Sequence, residues 1–370
     1  FYGWWNPIYI PLLLVSIVLN FILGRFLTLN TGTTRARIAL VAGLCGNLGL
    51  LVFFKYLGFL RDTAIWLFGA SYDAATPELP LGISFFTFLQ IAYLVDSANG
   101  KTNETRGGPY FLFVTFFPHL IAGPLVHHSE LIPQFARRKD KIWENLASGG
   151  VIFAIGLFKK LVLAEFVSGW SDSVFNGAGL GIAPSLIDSW IGVLSFSLLI
   201  YFDFSAYSDM AIGLSLMFGI RMPENFNSPY KAASIIDFWR RWHITLSRFF
   251  RDYLYVPLGG NRVGLFRRNL NVLTVMLLAG LWHGANWKFV FWGGLHGFYL
   301  LANHAWREHC SWRFPKVVGV TLTFIAVAIA LACGSLGGGY IGYKCTKNHY
   351  VAKMAKERDI AQQEVIQSQQ

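Results

Sequence analysis

Charge is what this chain has least of. Only 14% of its 370 residues are Asp, Glu, Lys or Arg, against about 25% in an ordinary soluble domain. Hydrophobic types make up 54% and the mean hydropathy is +0.45, so a free-standing soluble globule is excluded. Cysteine is also scarce. Cys45, Cys310, Cys333 and Cys345 share no paired metal spacing; two sit in apolar runs, where a small buried thiol is ordinary. No metal and no disulfide framework are therefore expected. Phosphate-loop chemistry is missing too: Leu258-Gly259-Gly260-Asn261-Arg262 reads as a tight turn after Pro257, without the Lys-Ser/Thr pair.

Acidic residues are fewer than basic ones, and the formal net charge is +11. On a soluble chain this would suggest nucleic acid. Here the basic residues cluster between apolar runs, at Arg25, Arg35 and Arg37, at 137–141, at 240–251 and at 262–268. Loops facing the cytoplasm account for that pattern, so membrane lipid is the expected environment and nucleic acid is not.

The chain has long apolar runs instead. Residues 8–23 and 38–54 carry no charge, and a helix of about 20 residues spans about 30 Å of hydrocarbon. Further candidates lie near 79–95, 110–126, 149–167, 186–203, 204–220, 270–301 and 317–336. Several are interrupted by Pro, Gly, Ser, Asn or Asp, which suits a multi-helix bundle enclosing a cavity. Pro118, Gly123 and Pro124 predict a kinked or re-entrant passage at 110–126. Residues 61–78 read as an interfacial connection, and Asn103-Glu104-Thr105 formally matches a glycan acceptor. In 221–262, Ile236, Trp239, His243, Leu246 and Phe250 recur at helical spacing among arginines. That pattern predicts an amphipathic helix along the headgroups, with Trp242, Tyr253 and Tyr255 in the aromatic belt. Gly43, Gly46, Gly49, Gly293 and Gly294 read as points of close helix approach. Residues 1–336 read as one membrane domain and 337–370 as a polar tail.

The leading chemical candidate is His283, in Leu281-Trp282-His283-Gly284-Ala285-Asn286 between two apolar stretches. A base at membrane depth is costly unless it has a function, a partner or access to water, and neutral imidazole accepts a proton near pH 7. Hydrogen bonding between helices is the competing reading. Asn286 is placed to orient the ring or bind a substrate carbonyl. His243 is second, in Trp239-Arg240-Arg241-Trp242-His243, where solvation on an interfacial helix competes with donor binding and Arg240 and Arg241 suit a phosphate or carboxylate. Asp203 and Asp209 lie in a polar island, Tyr201–Asp209, suited either to orienting a histidine or binding a sugar hydroxyl, or to bonding between helices. His119 and His296 read as packing residues; His127, His128, His304, His309 and His349 carry little weight.

Five strings now carry a resemblance: LPLGISFFTFLQIAYLVD at 79–96, FFPHLIAGPLV at 116–126, YFDFSAYSDMAIGLSLMFGI at 201–220, the segment 224–262, and LWHGANWKFVFWGGLHG at 281–297. In this order they resemble the membrane-bound O-acyltransferase family, in particular its bacterial alginate and peptidoglycan acetylation branch, over about residues 1–310. The resemblance implies an all-α polytopic fold, a ring of about nine to eleven transmembrane or re-entrant helices around a thin centre. It implies that His283 is the catalytic histidine and His243 the second functional one. It also implies a donor entering from the cytoplasmic side of a bacterial inner membrane, acetyl-CoA or an acyl carrier with no tightly bound cofactor. The acceptor would be an extracytoplasmic polysaccharide such as alginate, with a periplasmic or membrane-anchored acetyltransferase as partner. The match fades beyond about residue 315, the amino end looks clipped, and His127 stands where the family often has arginine.

On this reading His283 acts as general base in acetyl transfer to a hydroxyl, with Trp282 Nε1, Asn286 or a backbone N–H stabilising the oxyanion. An acyl-histidine intermediate is the other chemistry. D-alanyl transfer to a cell-envelope polymer, a proton-coupled transporter, and a scaffold relaying the acyl group are the alternatives. Paired inverted halves, which a transporter would favour, are not visible.

Overall fold

A computed structural model describes residues 2–69, 77–102, 106–136, 141–179, 182–312 and 314–334. The polar tail and the glycan-acceptor match lie outside them. All regular structure among the described residues is helical, as expected. The helices are α1 (Ile10–Leu29), α2 (Thr34–Leu51), α3 (Leu57–Phe68), α4 (Ile83–Ala98), α5 (Gly107–Thr115) and α6 (His128–Phe135). Then come α7 (Ile142–Phe158), α8 (Glu165–Gly179), α9 (Leu186–Met217), α10 (Ile235–Trp239), α11 (Ile244–Phe250), α12 (Leu265–His283), α13 (Trp287–His309) and α14 (Lys316–Gly334). π-turns at Val52–Tyr56 and Lys159–Ala164 join α2 to α3 and α7 to α8, and another, Arg251–Tyr255, extends α11.

Among the described residues, four continuous helical stretches are long and apolar enough to cross a membrane: Pro7–Leu29, Thr34–Phe68, Leu186–Met217 and Lys316–Cys333. Together with the family assignment below, they make this a multi-pass membrane protein. Other candidate spans carry internal charges, Lys159 and Lys160 after α7, Arg267 and Arg268 in α12 and Lys288 in α13.

Local chemistry sets the starts of the long helices. The Thr33 hydroxyl accepts from Ala36 N at 3.1 Å at the head of α2. Ser185 caps α9 by accepting from Asp188 N at 3.1 Å, a capping arrangement worth about 1 kcal/mol. Two spans were expected at 186–203 and 204–220, but α9 is one helix of 32 residues. Its polar island does not break it because lysines of the α7–α8 turn meet the carboxylates: Lys159 Nζ lies 2.5 Å from Asp209, and Lys160 pairs with Asp203.

Glycine sets two of the helix contacts. A Cβ on Gly213 of α9 would lie 2.6 Å from the Gly149 carbonyl of α7, and one on Gly280 of α12 would lie 2.1 Å from the Phe289 carbonyl of α13. These helices therefore meet backbone to backbone. Of the glycines singled out in the sequence, Gly293 meets the Met276 carbonyl in the same way and Gly43 packs on Leu23, whereas Gly46 and Gly49 face open space. Between α1, α2 and α4, Ser16 Oγ donates to Gln90 Oε1 at 2.8 Å and Asn47 Nδ2 to Asn20 Oδ1 at 2.7 Å. Such bonds hold helices together where water is absent.

The segment 221–262 departs from expectation. It is no continuous surface helix: α10 ends at Trp239, the chain turns, and α11 begins after His243, whose φ of +43° is left-handed. Phe238, Trp242, His243, Leu246 and Phe250 are all buried, so this segment threads the core. Trp242 is thus a core residue rather than a belt residue.

Candidate active site

Helix α12 stops at His283 because Gly284 turns extended, with φ −168° and ψ 144°. Two residues on, Asn286 starts α13 by accepting Lys288 N on Oδ1 at 3.0 Å. The three-residue link folds α12 and α13 into an antiparallel pair, with His283 at its tip.

The last carbonyls of a helix have no partner within it. Here they are met from the π-turn after α2. Tyr56 Oη donates to the Leu281 carbonyl at 3.0 Å, and Lys55 Nζ donates to the Trp282 carbonyl and, at 3.0 Å, to Ser84 Oγ. A cation at the carbonyl end of a helix is favourably placed, and π-turns inside helices frequently mark functional sites. An ammonium has three donors, so Lys55 keeps one beyond these two bonds.

His283, Trp282, Lys55, Ser84, Phe85 and Phe204 line a cavity of about 340 Å³, completed by Leu79, Pro80, Gly82, Ile83, Ile121 and Ala122. His283 lies deep in the molecule yet is exposed, because its ring faces this space. It makes no hydrogen bond to a described residue and is held by rings: Trp282 at 4.9 Å and Trp292 at 5.2 Å between centroids. Trp282 Nε1 is buried without a partner. A larger cavity of about 600 Å³ between α1 and α2 is lined by aliphatic and aromatic side chains with Ser16, Asn20 and Asn47 and has no titratable group, so it offers no acid–base chemistry.

His243 lies on the other flank of Trp282, its ring 6.0 Å from the indole and 4.7 Å from Phe204. It is wholly buried. Asn225 Nδ2 donates to Ser208 at 3.1 Å, which leaves Asn225 Oδ1 to accept from Thr245 Oγ1 at 2.9 Å and His243 Nδ1 at 3.1 Å. The proton therefore sits on Nδ1, and Nε2 carries the lone pair with no partner.

The other residues singled out in the sequence fall elsewhere. Asn286 caps α13. Asp203 and Asp209 are held by lysines. Arg241 pairs with Asp237 at 2.9 Å, and Arg240 is exposed. His296 is 1% exposed and packs on Trp292 and Trp239, outside the cavity. Sequence reasoning missed Lys55, Tyr56, Ser84 and Asn225. The signal available for Lys55 was a lysine inside an apolar run.

A second polar cluster was also missed. Asp96 Oδ2 lies 2.6 Å from both His127 Nε2 and Tyr253 Oη, and 3.9 Å from His128 Nδ1. Burial and the Asp96 bond hold the Tyr253 hydroxyl above the usual phenol range.

Residues 108–340 match the profile of MBOAT, the membrane-bound O-acyltransferase family, and the chain belongs to that family. It is 43% identical to a peptidoglycan O-acetyltransferase of Helicobacter pylori, over 89% of this chain and 68% of that protein. A probable alginate O-acetylase, AlgI, of Azotobacter vinelandii is 42% identical, over 89% of this chain and 66% of the relative. A teichoic acid D-alanyltransferase of Bacillus subtilis is 26% identical, over 66% and 65%. The chain thus spans about two thirds of the length of these relatives.

Proposed function

We propose that the chain transfers an acetyl group from a thioester donor, acetyl-CoA or an acyl carrier, to hydroxyls of an extracytoplasmic cell-envelope polysaccharide across the bacterial inner membrane. The transfer is direct or passes through a periplasmic or membrane-anchored partner. The observation that carries the reading is a histidine with no hydrogen-bond partner among the described residues, exposed to a cavity shared with a lysine that makes two hydrogen bonds to them and so keeps a third donor. The names of the relatives support acetyl and the polymer class.

In the proposed step, His283 takes the proton of the hydroxyl as its oxygen attacks the thioester carbonyl. The oxyanion that forms accepts from Lys55, which lines the cavity with a donor to spare. When the carbon–sulfur bond breaks, the imidazolium returns its proton to the leaving thiolate. Asn286, Asp203, Asp209 and Arg241 hold structure rather than substrate in this reading, and His243 positions the Trp282 side of the cavity.

Purified protein in liposomes, given acetyl-CoA with labelled acetyl and an alginate oligosaccharide, tests the reading. Transfer by the wild type and none by a folded, inserted His283→Ala variant is expected; equal transfer by both removes His283 from the reaction. Similarity to the D-alanyltransferase favours a second reading, aminoacyl transfer. Label moving only from an aminoacyl carrier protein would select it.

A further inference from the structure

The Asp96 cluster has no part in the proposed transfer, and its composition is unusual for a purely structural knot. Three segments far apart in sequence bring it together: the last turn of α4, the residues opening α6, and the π-turn after α11. Asp96 and His128 are each 2% exposed, and His127 is half-buried. One ligand atom from each of Asp96, His127 and His128 lies within 4.8 Å of the others. His128 is the telling member. Among the described residues neither ring nitrogen has a hydrogen-bond partner, and a buried imidazole left so is costly. Its Nδ1 nevertheless comes within 3.9 Å of Asp96 Oδ2.

We propose that Asp96, His127 and His128 bind a divalent first-row metal ion, zinc in the first instance. Two imidazoles and one carboxylate are borderline donors of the kind zinc takes, with a fourth position left to water. The surroundings suit ligation. His127 Nδ1 accepts from Ser129 N at 3.3 Å, and Ser129 Oγ, 2.5 Å away, is the acceptor to which an Nδ1–H would turn once Nε2 gives up its proton to bind the ion. Tyr253 Oη lies 2.6 Å from Asp96 Oδ2 and 2.5 Å from His127 Nε2, so it touches both ligand atoms and would turn its hydroxyl to Asp96 when the ion takes Nε2. Zinc ligands stand about 3.3 Å apart in a tetrahedral site, so the 2.6 Å and 3.9 Å separations adjust by under an ångström. The two nearby cations do not compete: Arg248 is engaged by Glu130 at 2.6 and 2.9 Å, and Lys101, largely exposed, is 4.0 Å from the other Asp96 oxygen. The ion would tie α4 to the start of α6.

The test uses the whole chain, purified in detergent without a histidine tag, stripped with chelator, incubated with zinc chloride, desalted and counted by mass spectrometry. One equivalent per chain is expected, falling at least tenfold in Asp96→Asn and His128→Leu and unchanged in His304→Ala. Because either cluster variant can fail to fold, cobalt is titrated into the wild type as well, and ligand-field bands of a tetrahedral site are expected. No retained zinc in the wild type, no such bands, or full retention by the folded variants overturns the proposal.

Discussion

His283 and His243 both flank the Trp282 indole, and their surroundings are opposite. Among the described residues His283 has no hydrogen-bond partner and it faces a cavity, whereas His243 is sealed, bonded through Nδ1 and fixed in a left-handed backbone. A base that must reach a substrate needs the first arrangement; a residue that holds its neighbours in place needs the second. Two histidines both next to a tryptophan in sequence are thus packed into opposite surroundings.

Four substitutions would break or sharpen that contrast. His283→Ala should have the largest effect, lowering kcat for acetyl transfer about 10²–10⁴-fold with the protein folded, the usual worth of a general base. Lys55→Met should come next, at about 10²-fold on kcat with KM little changed, because it removes a transition-state donor; steady-state kinetics in liposomes separates the two constants. His243→Ala strands Asn225 and opens a hole, so its main effect should be on stability, about 1–3 kcal/mol. A lowered thermal midpoint with a smaller loss of kcat than His283→Ala supports the division of labour, and an equal loss of kcat without destabilisation ends it. Asn286→Ala should be the mildest, costing about 1 kcal/mol as a lost helix cap. A large rise in KM there would instead make Asn286 a substrate ligand.

The sequence made the helical class legible because charge is scarce and the apolar runs are long. His283 was legible because a titratable group amid such runs needs a reason. The break at His243 was not, since helical spacing of Ile236, Trp239, Leu246 and Phe250 says nothing of a single residue turning left-handed. Asp203 and Asp209 looked like site residues because their lysine partners lie some 40 to 50 positions earlier. Lys55 and Tyr56 stayed hidden for the same reason: the carbonyls they meet belong to residues 282 and 281, separated from them by 227 and 225 positions.

That distance bears on how the enzyme comes into being. The stretch that matches the family runs from 108 to 340, yet Lys55 and Tyr56, which clasp the tip bearing His283, precede it. Lys55 and Tyr56 are made well before the turn they clasp, so its carbonyls gain these partners only when α12 packs against the π-turn after α2. A truncated chain starting at 108 would keep the histidine and lose its mount, and supplying residues 1–107 as a separate polypeptide is the direct way to give it back.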